Sequence, residues 1–294
     1  MKHDQLRQIA EYLQAPAWIT DKLPLFYTEE VLNMLLNMPD TPDFSQYSNE
    51  ELFSLYHRGI LSRSGDGTYT VSSFLSHLEV LLIDDPAFLQ GLSLTERNDL
   101  REWFFADYYA SEPEKQDTVD RTVPLEEMLE IIDQEERTFY LCSCECRQFG
   151  GECGKPIGTC LSFDSGYNSF ADRKIAVPVS KAKARQVILN GDRDGLIHTV
   201  NGMGYCQCCS DCCCMFRYTR KHHLEGIWPR AEYIISCDAQ KCTSCGRCSS
   251  RCQFDVFRFD NGTRTINREY CVGCGLCTST CPTGALKLIP RSMH

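Results

Sequence analysis

Near its C-terminal end this 294-residue sequence repeats one cysteine spacing: Cys242-x2-Cys245-x2-Cys248-x3-Cys252, then Cys271-x2-Cys274-x2-Cys277-x3-Cys281-Pro282. Thiolates are soft ligands suited to iron and zinc. Zinc ribbons pair two C-x2-C knuckles, whereas each knuckle here is tripled. Two intervening residues let consecutive thiolates reach neighbouring irons of one iron–sulfide cube. Three thiolates of each copy then wrap a cube and the fourth ligates the other. The chemistry implied is one-electron transfer at iron. The first copy carries Gln253 where the second has Pro282, a departure that affects the turn after Cys252 more than the ligation.

Eleven further thiols lie within 73 residues: Cys142, Cys144, Cys146, Cys153, Cys160, Cys206, Cys208, Cys209, Cys212, Cys213 and Cys214. Thiolates packed this closely repel one another unless a metal neutralises them. At least one additional iron–sulfur cluster is therefore expected on a subset of Cys144, Cys146, Cys153, Cys160, Cys206, Cys208, Cys209, Cys212 and Cys213. Zinc or a redox-active thiol set are the competing readings. Adjacent cysteines point in different directions, so each pair either serves two irons or divides into ligand and bystander. Cys142 and Cys214, at the edges, are expected not to ligate. Cys237 stands alone and reads as a buried thiol. Arg147 follows a candidate ligand, where its charge would raise a cluster's potential.

Over residues 242–286 the pattern resembles the bacterial-type two-cluster ferredoxins. That resemblance implies one [4Fe-4S] cluster on Cys242, Cys245, Cys248 and Cys281, and a second on Cys271, Cys274, Cys277 and Cys252. With Cys144-Glu-Cys146-Arg147, Cys153, Cys160 and the run from Cys206 to Cys213, most of the chain resembles multi-cluster iron–sulfur proteins of the cytosol of anaerobic prokaryotes. The wider resemblance implies electron transfer in anaerobic metabolism and little about a substrate. Cys142 and Cys214 are extra to its pattern.

The elements that must hold these thiols divide the chain into three expected domains in an α+β fold. Residues 1–120 form an acidic, α-rich, winged-helix-like domain, residues 121–235 a small Cys-rich α+β core, and residues 236–294 a ferredoxin-type two-cluster module. All 20 Cys fall in the last two. Residues 1–120 hold 8 Lys+Arg against 21 Asp+Glu, net −13, and the remainder holds 22 against 19, net +3. Such an acidic first third repels phosphates, so DNA is not the expected partner, although His57, Arg58 and Arg63 are local cations. An apolar fraction of 43% with 24% charged residues is that of an ordinary globular chain. No apolar run reaches the roughly 20 residues of a membrane span, and no signal-like segment opens the sequence. Twenty thiols without an export signal fit a reducing, cytoplasmic setting.

Helix starts are legible at Thr28-Glu29-Glu30, with Pro39 as its stop, and at the capping box Ser48-Asn49-Glu50-Glu51, closed by Gly59. Ile60-Leu61 and Thr68 to Val71, around Gly65-Asp66-Gly67, read as a hairpin. Trp103, Phe104, Phe105, Tyr108 and Tyr109 read as core or a domain interface, and Ser111 to Thr122 as a linker. Val123 to Ile132 and Ser180 to Gly191 read as helices, and Gly195 to His198 as a strand with a structural histidine. Val256 to Phe259 and Arg264 to Ile266 read as a hairpin around Asn261-Gly262. Arg217, Arg220, Lys221, His222 and His223 form a basic patch, either solvated or docking an acidic partner or the acidic first third itself. Neither a phosphate-binding loop nor a dinucleotide fingerprint is present.

The expected function is an iron–sulfur electron-transfer protein or subunit. It would relay single low-potential electrons between the two C-terminal clusters and at least one upstream cluster, with a protein redox partner. The alternatives are a redox- or iron-sensing regulator and a reductase whose upstream cluster has an open coordination site.

Overall fold

The computed structural model describes residues 1–38, 42–106, 120–150, 153–202, 204–260 and 263–293. Pro39, Tyr108, Tyr109, the Asn261-Gly262 turn and most of the expected linker lie outside them. The N-terminal part contains helices α1 (His3–Tyr12), α2 (Glu29–Leu36) and α3 (Asn49–His57), the hairpin β1 (Leu61–Arg63) and β2 (Tyr69–Val71), then α4 (Phe74–Asp84) and α5 (Leu94–Phe104). Thr28 caps α2 by accepting from the Val31 N–H at 3.4 Å. At α3 Ser48 and Glu51 form the reciprocal capping box, each satisfying an amide that a helix start leaves orphaned. Leu6, Ile9, Leu13, Phe26, Phe74 and Phe88 fill the core between the helices. Phe26 meets Phe74 edge-on at 5.0 Å. Truncating the fully covered Phe74 to Ala would cost about 3–5 kcal/mol.

The hairpin and α3 do not face solvent as a free unit. Tyr56, at the end of α3, donates its hydroxyl to Asp172 and accepts from the Asn168 N–H at 2.6 Å. The buried Arg173 guanidinium donates to the Tyr56 and Leu61 carbonyls and to Ser62 Oγ. His57 Nδ1 lies 2.7 Å from the Arg173 carbonyl.

The central part is a seven-stranded sheet in the order β6-β4-β5-β8-β7-β3-β9. Its strands are β3 (Arg121–Val123), β4 (Phe139–Cys142), β5 (Cys160–Ser162), β6 (Val177–Val179), β7 (Ile197–Asn201), β8 (Gly204–Cys208) and β9 (Arg230–Ala231). All neighbours are antiparallel except β3 with β9. Successive strand residues face opposite sides. Leu161, Phe139 and Tyr205 therefore join Met128, Ile132, Ala184 and Ile188 of helices α6 (Leu125–Gln134) and α8 (Lys181–Arg193) on one face. That leaves Cys142, Cys160 and Cys206 for the other. A Cβ on Gly204 would meet the Leu161 carbonyl oxygen at 2.1 Å, so the close approach of β8 to β5 requires glycine there.

Helix α7 (Glu145–Gly150) follows β4, and α9 (Cys214–His222) follows the second cysteine run. Phe149 of α7 inserts between the sheet and the N-terminal part, 5.4 Å from Phe104 and 6.2 Å from Phe105. The C-terminal part pairs β10 (Tyr233–Cys237) with β13 (Leu286–Pro290). Between them lie α10 (Arg247–Arg251) and the hairpin β11 (Phe257–Asp260) and β12 (Thr263–Ile266). Because β10 starts at Tyr233, the expected domain boundary at residue 236 falls inside a strand. Pairing with a segment some fifty residues later, invisible locally, sets that edge.

Candidate metal centres

Two small cavities, each about 20 Å³, lie in the C-terminal part. Cys242, Cys245, Cys248 and Cys281 surround one, and Cys252, Cys271, Cys274 and Cys277 the other. The fourth thiol of each set comes from the opposite copy of the repeat, because β10 and β13 fold the copies against each other. Four sulfur donors around a space lined largely by apolar groups such as Phe259, Leu286, Ile235 and Leu276 suit a cube of iron and sulfide, which needs thiolates and a dry shell. Burial pushes the Cys274 thiol up to about 12. An Arg264 guanidinium N–H donates to Cys242 Sγ at 2.5 Å. Cys237 is half-covered rather than buried and sits beside Cys242 and Arg264, because it ends a strand at the module's edge.

The upstream thiols do not form one set. Most line a single cavity of about 410 Å³ between the sheet and the N-terminal part. Cys160 touches Cys144 and Cys206, and Cys206 touches Cys208. Cys208 and Cys213 sulfurs are 3.5 Å apart, and Cys146 and Cys214 sulfurs 3.6 Å. Cys213 reaches Cys146 and Cys214, and Cys144 closes the ring on Cys146. Contacts with Cys160 and Cys208 hold the Cys206 thiol low, while contacts with Cys206 and Cys213 hold the Cys208 thiol high, so the ring shares protons that a metal would displace.

Cys142 and Cys214, expected outside the set, stand in the wall of this cavity. Cys142 is directly opposite Cys160 across the β4–β5 ladder, with its sulfur 3.6 Å from the Cys160 carbonyl oxygen. Cys214 opens α9, which turns its sulfur onto Cys146. Cys153 and Cys209 stand outside this wall and gather on Cys212, which lines the cavity, with all three sulfurs within 4.8 Å of one another.

Arg147 is 1% exposed. It donates to the Pro156 carbonyl at 2.6 Å, Thr159 Oγ1 at 3.2 Å and the Gln207 carbonyl at 2.6 Å. Burial opposes its charge, but the Cys144, Cys209, Cys160 and Cys208 thiols around it hold the proton on. The sequence placed Arg147 beside a ligand; its burial between both thiol groups was not legible. Three carboxyls that carried no sequence signal also line the large cavity: Glu79, Asp120 and Glu145. Burial raises all three, with the Cys206 thiol adding at Asp120 and Glu79 adding at Glu145.

Gln253, the departure from the repeat, joins the two halves. Its Oε1 accepts from the Ser210 N–H at 2.9 Å, and its Nε2 donates to the Gly195 carbonyl at 2.5 Å. Arg220 donates to its carbonyl at 3.1 Å. Cys252 and the run around Cys209 are thus linked by one residue on each side of a hydrogen bond. In the basic patch, Arg217 pairs with Glu102 of the acidic first third at 2.8 Å. His198 is buried with Nδ1 2.8 Å from Gln207 Oε1, a structural placement.

Residues 241–286 match the family model of a 4Fe-4S dicluster domain. That match, with four thiols around each of the two cavities, supports an iron–sulfur protein. No curated protein and no solved structure matches it. The dicluster domain covers the two four-thiol cavities and none of the upstream thiols. No described helix is long and apolar enough to cross a membrane.

Proposed function

We propose that the protein is an electron relay in which the dicluster domain exchanges single electrons with a further iron–sulfur cluster in the large upstream cavity. Cys242, Cys245, Cys248 and Cys281 hold one [4Fe-4S] cluster of the domain, and Cys252, Cys271, Cys274 and Cys277 the other. The upstream cluster draws its ligands from Cys144, Cys146, Cys160, Cys206, Cys208 and Cys213, with Cys142 and Cys214 at the same wall. Bound there, such clusters supply reversible one-electron steps at potentials set by charge and hydrogen bonding.

The observation that carries this reading is the Gln253 bridge, which binds the loop of one dicluster ligand, Cys252, to the upstream cysteine run. Cys208 and Cys213 also share one buried cluster of side chains with Cys271 and Cys277, so the two thiol regions form a continuous interior. Arg147 neutralises thiolate charge and, by favouring the more negative state of a nearby cluster, raises its potential. The N-terminal part, winged-helix-like in its helix, helix, hairpin order, acts here as a cover: α4 and α5 roof the cavity through Glu79, Phe104 and Phe105. Its local cations His57 and Arg63 are engaged with Arg173 and Tyr69, which supports a packing role over DNA contact.

A reductase acting at the upstream cluster is the second reading. The cavity favours it, because 410 Å³ is far more space than the 20 Å³ each four-thiol site shows.

Iron, acid-labile sulfide and EPR on anaerobically purified protein test the relay. The two cubanes contribute about eight irons, so the relay requires more than that per chain, about twelve for a third cubane, and EPR signals beyond those of the dicluster domain. About eight irons, unchanged in Cys206→Ala, would leave the upstream cavity without a cluster and overturn it. Perturbation of the upstream signal by cyanide or carbon monoxide would select the reductase.

A further inference from the structure

Among the described residues lining the large cavity and the two dicluster cavities, Cys153 and Cys209 do not occur. Their sulfurs close instead on Cys212, which stands at the wall of the large cavity, all three within 4.8 Å. We infer that Cys153, Cys209 and Cys212 form a separate site for one tetrahedral, thiophilic divalent ion of the zinc class, with Asp211 on its fourth side.

Spacing separates this site from a cluster site. Two thiolates about 2.3 Å from one tetrahedral ion stand about 3.8 Å apart, so a small closure brings all three sulfurs onto a single ion. The eight dicluster thiols surround two cavities, whereas these three lie within 4.8 Å of one another.

Local geometry explains how the trio forms. Strand β8 ends at Cys208, so Cys208 and Cys209 leave the backbone in different directions, one to the cavity and one away from it. Cys209-x2-Cys212 then turns as a metal knuckle, with the Cys212 N–H 3.3 Å from Cys209 Sγ. Helix α7 ends against it at Gly150, where a Cβ would stand 2.8 Å from Cys212 Sγ, and Cys153 follows three residues later. Leu196 covers the apolar side.

Asp211 Oδ2 lies 3.7 Å from Cys212 Sγ. Asp211 is exposed and faces a polar groove of about 510 Å³, which gives an ion an entry path. Turned from Cys212 onto an ion held by the three thiolates, this carboxylate would complete a zinc-type donor set. Three thiolates and a carboxylate outweigh a divalent ion by two negative charges, and the buried Arg147, which interacts with Cys209, offsets part of the excess.

This site is independent of the relay, and its test reads a different element. The full chain, purified anaerobically, is assayed for zinc, iron and sulfide, as wild type and as Cys153→Ser. The expected result is about one zinc per wild-type chain, lost in Cys153→Ser while iron, sulfide and the EPR signals stay unchanged. Cobalt(II) is the spectroscopic probe: the wild type should give the intense visible bands of a tetrahedral thiolate site. Asp211→Asn, at an exposed position that does not threaten folding, should weaken cobalt binding by about tenfold or more. Loss of iron and sulfide together in Cys153→Ser would make the trio part of a cluster and overturn the proposal. So would a metal-free wild type with a Cys209–Cys212 disulfide, or unaltered cobalt affinity in Asp211→Asn.

Discussion

If Gln253 couples the dicluster domain to the upstream thiols, replacing it with Pro should uncouple them while giving the first cysteine repeat the residue the second already has at Pro282. Two side-chain hydrogen bonds are lost, to the Ser210 N–H and the Gly195 carbonyl. At a net 0.5–1.5 kcal/mol for each, the contact weakens by about 1–3 kcal/mol. That corresponds to a shift of roughly 5- to 150-fold toward the opened contact. Amide hydrogen exchange reads it directly, because the Ser210 N–H is the donor: its protection should fall by that factor while helix α8 stays protected. Freeze-quench EPR after sub-stoichiometric reduction should show slower electron redistribution from the dicluster domain to the upstream signal, with iron content unchanged. Gln253→Ala separates the loss of the amide from the introduction of proline. Wild-type Ser210 exchange together with wild-type redistribution in both variants would refute the coupling role.

Three further outcomes are expected. Arg147→Met removes a charge held among thiols and strips partners from the Pro156 and Gln207 carbonyls, so it should destabilise the protein by about 3–5 kcal/mol in urea titration and lower the upstream cluster's potential; an unchanged potential would remove the electrostatic role. The Arg137 guanidinium, with Tyr205 adding, holds the Glu135 carboxyl down at about 2, against 4.5 in an unfolded chain. Because the folded value is the lower one, this stabilisation is present above pH 4.5 and is lost as pH falls toward 2. The stability advantage of wild type over Glu135→Gln should therefore shrink below pH 4.5, and a constant advantage would show that the pair contributes no linkage. In air, the cluster site containing the exposed Cys245 should bleach before the one walled by buried Cys271 and Cys277, as followed by timed EPR, and simultaneous loss would count against exposure as the cause.

Local spacing made the grouping of the dicluster thiols readable, because three thiols of each copy lie within seven residues and line one cavity with the fourth of the other copy. The helix caps at Thr28 and Ser48 were readable for the same reason: a side chain satisfies an amide three residues away. The upstream division was not. That Cys208 and Cys209 diverge follows from backbone geometry, but their partners sit on β4, β5 and α7, brought alongside by sheet order. Cys214 joined the thiol ring through the orientation of α9, which no spacing rule conveys. Burial of the hairpin on Arg173 was equally hidden, since its hydrogen bonds span more than a hundred residues. Gln253 was visible as an exception to a repeat, yet its purpose needed the Ser210 amide opposite it.

The β10–β13 pairing has a consequence in time. Every thiol of the dicluster domain lies between Cys237 and Leu286, the inner ends of the paired strands, like beads inside a clasp. A ribosome releases β10 first and must make the whole intervening stretch before β13 exists to close on it. The seven-stranded sheet needs nothing beyond Ala231 and can assemble while the dicluster domain is still open thread. Loading of the two sites around the clasp is thereby deferred until the seven-stranded sheet is already standing.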